Sequence, residues 1–277
     1  MAVKKEKKAE RPIGIIGCGA MGAAIAQRLA PHHALYLFDQ SSAKAAALAL
    51  ETKGRAAHDV SELLSAVDLF FLAVKPQDLP SCSAVLKPHL TKQHQAFSIV
   101  TGASLATLRE LLAPARALRL MPNLPIACGK GVIAIADGAL FEVSDRYAEA
   151  KSRVEQLLTP LGTIHWLAEE KMDAVTSLTG SGPAFVCLLI EAMVDAAIAM
   201  GFHAKEAYDL VLAMMAGSIE LLQREEGDAA ALRHRISSPA GTTIAGIKEL
   251  ERHGVRYGLI AAFEAAYTRA RTLGTGE

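Results

Sequence analysis

The sequence has no excess of charge of either sign. Its 277 residues carry 29 lysines and arginines against 29 aspartates and glutamates, so the formal net charge is zero. Proteins that bind nucleic acids usually present a basic patch or stripe, and a strongly charged chain would be needed to attract a charged surface. The balance gives no support for a nucleic acid, a membrane surface or an acidic polymer as partner.

Cysteine is scarce and scattered. The four cysteines form no Cys-x-x-C pair, and none of the nine histidines forms His-x-x-x-His or stands at ligand spacing from a cysteine. Such spacings are typical of metal sites and disulfide frameworks. We therefore expect reduced thiols, no metal site and a cytoplasmic location.

Long uninterrupted apolar runs are missing as well. The most apolar segments, residues 183–200 and 210–222, are broken by Glu191, Asp195 and Gly217, whereas a membrane span needs about 18 apolar residues. The charged residues 1–10 lack the apolar core of a signal peptide, so we expect a flexible tail there. With 51% hydrophobic residues, the rest of the chain is predicted to fold as a soluble protein.

The remaining sequence divides into two parts of different pattern. Residues 11–167 alternate helical segments with short apolar runs, which we expect to be strands at residues 12–16, 34–39, 68–74, 95–100, 115–121, 131–136 and 163–167. Continuous apolar strands between helices indicate a parallel sheet buried on both faces. We predict an α/β, Rossmann-type doubly wound domain, because strand and helix alternate.

From residue 168 to 277 the strand signals stop. Segments rich in alanine, leucine and methionine predict helices at residues 183–200, 204–224, 228–235, 242–252 and 255–273. The second part is therefore predicted to be an all-helical domain.

A glycine-rich motif, G-C-G-A-M-G, lies between the first predicted strand and a helix, at residues 17–22. Gly17 would allow a tight turn, Gly19 would let a pyrophosphate approach the backbone, and Gly22 would let the helix pack closely on the strand. The helix N-terminus supplies N–H groups and positive dipole to the phosphates. The motif predicts a dinucleotide site, in which Cys18 is a small packing residue.

The next predicted strand ends at Asp39, near the spacing of an acid that binds the adenosine ribose. A carboxylate there would repel a 2′-phosphate and favour NADH. The following Ser41, Ser42 and Lys44 could instead hold that phosphate if Asp39 turned away. The expected cofactor is therefore NADPH or NADH, with Asp39 favouring NADH.

Four further motifs identify a family. They are A-V-K-P-Q at residues 73–77, M-P-N at 121–123, T-G-S-G-P at 179–183 and S-S-P-A-G-T-T at 237–243. Together and in this order they resemble pyrroline-5-carboxylate reductases. The resemblance implies reduction of 1-pyrroline-5-carboxylate to L-proline by hydride transfer from NAD(P)H, the last step of proline biosynthesis.

The chain departs from the family at two positions. It has Ala240 where the family usually has glycine, which suggests a backbone conformation there that a Cβ tolerates. It also has Thr101 before Gly102, where alanine is commoner.

The last motif also has a meaning of its own. It precedes a predicted helix, so its backbone N–H groups could form a nest for a small carboxylate. Ordinary capping of that helix by Thr242 or Ser238 is the alternative.

In the T-G-S-G-P motif, Ser181 could cap the next helix and Pro183 suits its first turn. Asn123 could contact the cofactor or only fix its own turn.

The resemblance assigns roles to individual residues. It implies Thr243 as the catalytic residue, near the ring nitrogen of the imine, and a substrate site at Glu226, Ser238, Gly241, Thr242 and Thr243. The cofactor-binding residues we predict are Gly17, Cys18, Gly19, Ala20, Met21, Gly22, Asp39, Ser41, Asp59, Ala73, Val74, Lys75, Pro76, Thr101, Gly102 and Asn123. The helical domain is then expected to bind substrate and to form a homodimer, with five dimers making a decameric ring in some members.

Two other functions are alternatives to this one. β-Hydroxyacid dehydrogenases share the glycine motif and a helical second domain, but they carry a catalytic lysine followed by asparagine where this chain has P-A-F-V-C-L-L-I-E-A at residues 183–192. A nucleotide-sensing protein without catalysis would have no need of the intact loop at residues 237–243.

Overall fold

The computed structural model describes residues 11–138, 147–224 and 227–275. Its strands form one eight-stranded sheet in the order β3-β2-β1-β4-β5-β6-β7-β8. The strands are β1 Ile13–Ile16, β2 Leu35–Phe38, β3 Arg55–Ala56, β4 Leu69–Leu72, β5 Gln95–Ser98, β6 Arg116–Pro122, β7 Gly131–Ala136 and β8 Gly162–Leu167. All seven predicted strands are present, and the two-residue β3 is an addition.

Both faces of the sheet are buried, which is why its strands are apolar at consecutive positions. In β4, Phe70 and Leu72 belong to one buried cluster, and Phe71 belongs to the other. Phe71 meets Phe97 of β5 edge to face, with ring centroids 5.4 Å apart. The alternation of side chains along each strand thus distributes them to the two faces.

Strands β7 and β8 depart from the predicted parallel sheet, since β7 runs antiparallel to β6 and β8 runs parallel to β7. Only residues 123–130 join β6 to β7, and a parallel crossover needs about a dozen residues or more. A short 3₁₀ turn, Leu124–Cys128, fills the connection. The short connection is a sequence signal that β7 runs opposite to β6. The prediction of a parallel sheet followed the alternation of strands and helices and missed this signal.

The helices of the sheet unit are α1 Ala20–Leu29, α2 Ser42–Thr52, α3 Val60–Ala66, α4 Leu79–Leu86, α5 Leu105–Leu112 and α6 Tyr147–Leu158. From β1 the chain continues through α1 to β2, on one side, and β4 lies on the other side of β1. The order of strands therefore reverses between β1 and β4. Open α/β sheets bind ligands at the carboxyl ends of the strands at this point.

Beyond Leu167 the described residues contain no strand. The helices are α7 Met172–Val175, α8 Gly182–Ala199, α9 Ala204–Arg224, α10 Ala229–Ile236, α11 Thr242–Arg252 and α12 Val255–Thr275. Ser181–Ala266 forms one compact unit, and the other described residues form the second. The contacts thus divide the chain after Gly180 and again after Ala266, whereas the sequence places one domain boundary at residue 167, where the strands end.

A wide helical turn, Thr176–Ser181, joins α7 to α8 with π-type hydrogen bonding. The hydroxyls of Thr176 and Thr179 donate to the carbonyls of Met172 and Val175, at 2.9 and 3.0 Å. Ser181 has a helical backbone and no capping hydrogen bond, so the expectation that it caps α8 is wrong. Pro183 does lie in the first turn of α8, as predicted.

The helical unit leaves much of its apolar surface exposed. Leu188 in α8 and Leu210 in α9 are 64% and 53% exposed. The helical stretch Glu169–Ala199 is also long and apolar enough to cross a membrane by length and composition, and only 6% of its most apolar window is buried. Monomeric soluble proteins rarely expose so much contiguous apolar surface. The helices therefore require a cover that a single chain does not provide.

Candidate functional site

The glycine-rich turn after β1 depends on the absence of two side chains. Gly17 has φ of +99°, and a Cβ there would lie 2.5 Å from the carbonyl oxygen of Ala73. A Cβ on Gly22 would lie 1.9 Å from the carbonyl oxygen of Gly17. These contacts hold the turn against the end of β4 and bring α1 onto the turn, as the motif predicts.

Gly19 differs from these two, since a Cβ added to it would meet no atom within 4 Å. It is the N-cap of α1, and no side chain caps this helix. In the part of the chain that the structure describes, no side chain accepts from the first N–H groups of α1, at Ala20, Met21 and Gly22. An open space beside an uncapped helix N-terminus fits the pyrophosphate of a dinucleotide.

A cleft of about 410 Å³ adjoins this turn at the carboxyl ends of the strands. Six predicted cofactor-binding residues line it: Gly17, Gly19, Asp39, Ala73, Val74 and Lys75. It carries charges of both signs, from Asp39 and Asp78 and from Lys44 and Lys75. The structure thus brings the ends of β1, β2 and β4 together around one space of suitable size.

The cleft also has a wall that the sequence reasoning missed. Val60, Cys82 and Val85 line it, together with Phe38 and Ser81. Val60 begins α3, and Cys82 and Val85 lie in α4, which follows the carboxyl end of β4. The sequence signal that could have predicted this wall is the set of apolar residues in the helices that follow β3 and β4. This wall suits a flat apolar group such as an adenine ring.

Cys18 is buried in the turn, and its thiol lies 3.7 Å from the carbonyl oxygen of Phe38. Burial, and to a lesser extent the charge of Asp39, raises the pKa of this thiol to about 12. A thiol with so high a pKa stays protonated and is a poor nucleophile at neutral pH. Cys18 is thus suited to packing, as expected.

Other predicted cofactor residues lie outside the lining of this cleft. Pro76 begins a 3₁₀ turn after β4, and Thr101 and Gly102 form the turn after β5, where Gly102 has φ of +78°. β4 and β5 are parallel neighbours, so these turns lie at the same edge of the sheet. Ser41 is the N-cap of α2, and its N–H donates to Asp39.

Asp59 and Asn123 have structural partners instead. The Asp59 carboxylate accepts a hydrogen bond from the N–H of Glu62 at 2.8 Å, which caps α3 and holds the pKa of this carboxyl below its usual value. The buried Asn123 amide donates to the carbonyl of Thr179 at 2.9 Å and accepts from the N–H of Val132 at 2.8 Å. Asn123 therefore fixes its turn, which favours the structural alternative.

The predicted substrate loop precedes α11 in the helical unit. Gly241 is the N-cap of α11, and no side chain makes a capping hydrogen bond there. The Gly241 N–H donates to the carbonyl of Ser238 at 3.1 Å. Capping by Thr242 or Ser238 is thus not observed, and among the described residues no side chain accepts from the N–H groups of Thr242 and Thr243. Glu226, also predicted here, lies outside the described residues.

Ala240 refines one expectation. It has φ of +56°, in the left-handed region, where an L-residue with a Cβ is strained by about 1–2 kcal/mol. The sequence suggested a backbone that a Cβ tolerates, and the structure shows that it does so only with this strain. The loop requires the left-handed conformation, and the usual glycine of the family meets that requirement better than alanine does.

Replacing Ala240 by glycine is expected to stabilise the protein by about 1 kcal/mol, because glycine adopts the left-handed conformation without strain. The same change at Ala245, an exposed position inside α11, should destabilise it by about 1 kcal/mol. Denaturant unfolding at fixed protein concentration measures both changes. Equal destabilisation by both variants would contradict the left-handed backbone at Ala240.

Among the residues that the structure describes, no three histidine, cysteine or acidic side chains are close enough to hold a metal ion. The arrangement as a whole is a dinucleotide cleft in the sheet unit and an uncapped, glycine-containing helix start in the helical unit. A doubly wound sheet with this turn defines the class of dinucleotide-binding domains, which includes many oxidoreductases. Consistent with this class, the family model for NADP oxidoreductase, coenzyme F420-dependent, matches residues 12–102.

The particular family follows from the whole chain. The family model for pyrroline-5-carboxylate reductase dimerisation matches residues 169–273. A relative from Macaca fascicularis, pyrroline-5-carboxylate reductase 3, is 35% identical, over 96% of this chain and 97% of its own length. The chain therefore belongs to the pyrroline-5-carboxylate reductase family, which confirms the resemblance of its motifs.

Solved structures agree with this membership. The 1-pyrroline-5-carboxylate reductase of Streptococcus pyogenes is 31% identical, with a TM-score of 0.85 over 95% of this chain and 99% of that one. The pyrroline carboxylate reductase of Plasmodium falciparum, solved with NADP bound, is 28% identical, with a TM-score of 0.84 over 95% of this chain and 98% of that one. The predicted fold class is confirmed as well.

Proposed function

We propose that this protein reduces 1-pyrroline-5-carboxylate to L-proline, the last step of proline biosynthesis. The relative from Macaca fascicularis is named for this activity, and this chain matches it over nearly its whole length. The observation that carries the proposal within this chain is the uncapped start of α11 in the loop at residues 237–243. A protein that only sensed nucleotides would need no such second binding site.

The sheet unit supports the binding of a reduced nicotinamide dinucleotide. The N–H groups at the start of α1 would hold the pyrophosphate, and the open space at Gly19 lets it approach. Ala73, Val74 and Lys75 would line the cofactor on the other side of the cleft. When bound, the cofactor supplies the hydride that reduces the imine carbon.

The helical unit supports the binding of the imino acid. We assign the substrate carboxylate to the N–H groups at Thr242 and Thr243 and to the neighbouring Ser238, because a helix N-terminus favours an anion. The hydroxyl of Thr243 can donate or accept a hydrogen bond at the ring nitrogen. Glu226 remains a predicted contact to the imino acid.

The reaction makes small demands on acid–base chemistry. An imine nitrogen is basic enough to arrive protonated or to gain a proton easily, so no strong general acid is required. The rate enhancement then comes mainly from holding the imino acid in one orientation and from excluding water. A loop fixed by backbone hydrogen bonds, such as that from Gly241 to Ser238, suits this task.

We also propose that the exposed apolar helices are covered by a second copy of this chain, in a soluble, cytoplasmic homodimer. The family model for dimerisation spans the segment that carries these helices. Glu191 and Asp195 lie exposed within α8, where a lipid environment would strongly disfavour them. Assembly of five dimers into a decamer remains a prediction.

Replacing Thr243 by valine is expected to lower kcat/KM for the imine by about 10- to 100-fold, because valine keeps the shape and loses the hydrogen bond to a charged group. Thr243→Ser keeps the hydroxyl and should retain most of the activity. Cofactor affinity, measured by titration, should stay within about twofold in both variants. Full activity of Thr243→Val would remove Thr243 from the mechanism.

A further inference from the structure

The Asp39 carboxylate is held in place by both of its oxygens. Oδ2 accepts a hydrogen bond from the N–H of Cys18 at 2.7 Å, and Oδ1 accepts one from the N–H of Ser41 at 2.8 Å. The first bond ties it to the glycine-rich turn and the second to the start of α2. Charge-assisted hydrogen bonds of this kind are among the stronger ones. Asp39 is therefore a fixed negative charge in the lining of the cleft.

From this arrangement we infer that Asp39 selects NADH over NADPH. The inference rests on the proposed function only in taking a nicotinamide dinucleotide as the ligand of this cleft. We expect the adenosine ribose to lie at the end of β2. The Asp39 carboxylate has free lone pairs that can accept hydrogen bonds from the two hydroxyls of this ribose. A 2′-phosphate at that place would meet an anion that cannot turn away.

Ser41 and Lys44 are the groups that could favour NADPH by binding its 2′-phosphate, and the arrangement around Asp39 makes both less able to do so. Ser41 is the N-cap of α2, and its N–H, which could otherwise bind a phosphate, donates to Asp39. Lys44 lines the cleft on an exposed side chain. A flexible lysine must lose conformational freedom to hold a phosphate, whereas Asp39 is already ordered.

The local field agrees with this ranking. Asp39 raises the pKa of the buried Cys18 thiol and Lys44 lowers it, with the effect of Asp39 the larger of the two. The other charges of the cleft, Lys75 and Asp78, lie after β4 and have opposite signs.

Direct binding tests the inference without turnover. We expect NADH to bind about 10- to 100-fold more tightly than NADPH, as judged by titration of nicotinamide fluorescence or by calorimetry, from repulsion between the carboxylate and the phosphate in a partly solvated cleft. Raising the salt concentration should narrow this ratio, because salt screens a repulsion. If Lys44 attracted the phosphate, the wild-type protein would bind NADPH more tightly, and salt would weaken NADPH more than NADH.

Two variants separate charge from shape. Asp39→Asn removes the charge, and we expect the preference for NADH to fall at least about tenfold. Asp39→Glu keeps the charge and should keep a preference for NADH. Lys44→Ala, the matched control, should raise the preference or leave it unchanged. If the Asp39 variants do not fold, the wild-type ratio and its salt dependence still decide.

The outcomes are distinct from those for the reductase activity. A protein that binds NADH more tightly than NADPH but does not turn over the imine would support the role of Asp39 and overturn the proposed reaction. A reductase with equal affinities, or with a preference for NADPH that Asp39→Asn leaves unchanged, would overturn the role of Asp39 alone.

Discussion

Replacing Gly19 by alanine is expected to weaken dinucleotide binding by about 10- to 100-fold, because a methyl group in the path of the pyrophosphate displaces it from the helix N–H groups. The unliganded protein should lose less than about 1 kcal/mol of stability, a size typical of surface changes. The backbone at Gly19 is extended, with φ of −74°, and an added Cβ meets no atom within 4 Å.

Gly22→Ala is the matched comparison, and it should behave in the opposite way. Its methyl group would lie 1.9 Å from the carbonyl oxygen of Gly17, so α1 or the turn must move, at a cost of about 1–3 kcal/mol. Thermal unfolding without cofactor and dinucleotide titration measure the two effects separately. The proposed pyrophosphate position would be wrong if Gly19→Ala bound cofactor as tightly as the wild-type protein.

Replacing Leu188 by aspartate is expected to convert the dimer to monomers and to lower activity at least 100-fold. Leu188 lies in the middle of α8 and is 64% exposed in the single chain, so in the dimer a carboxylate would be buried without a partner. That burial costs several kcal/mol, and about 1.4 kcal/mol corresponds to a tenfold change in affinity. Activity should fall together with the dimer, because the helical unit that carries the proposed substrate loop loses its cover.

Leu50→Asp provides the control for this experiment. Leu50 lies in α2 of the sheet unit and is 85% exposed, so the same change should leave both assembly and activity unchanged. Light scattering coupled to size-exclusion chromatography measures the mass of each variant, and Leu188→Ala tests for simple loss of packing. A Leu188→Asp protein that remains a fully active dimer would show that α8 lies outside the interface.

Much of the fold could be predicted because local patterns and tertiary packing agree. The run at residues 69–72, L-F-F-L, is apolar at each position and is buried on both faces of the sheet. The predicted bounds of α9 and α11 match the observed ones, because the helix-forming composition changes abruptly at their ends. The direction of β7 was missed, because it follows from the length of the connection at residues 123–130 and not from the apolar pattern of the strand.

The site residues whose role depends only on a local motif could be predicted from the sequence. Gly17 and Gly22 are needed for steric reasons that the motif states, and the distances around them agree. Asn123 was harder, because its partners Val132 and Thr179 lie 9 and 56 residues away in the sequence. The strain at Ala240 was missed for a similar reason, since a backbone angle follows from the whole loop rather than from one substitution.

The central claim is that this chain reduces a cyclic imino acid. The most direct measurement is the oxidation of NADH and of NADPH by the purified protein supplied with 1-pyrroline-5-carboxylate, with proline determined in the same samples. We predict rapid oxidation, one proline formed for each cofactor oxidised, and a higher kcat/KM with NADH. A folded dimer that binds the cofactors but forms no proline with either would contradict the account.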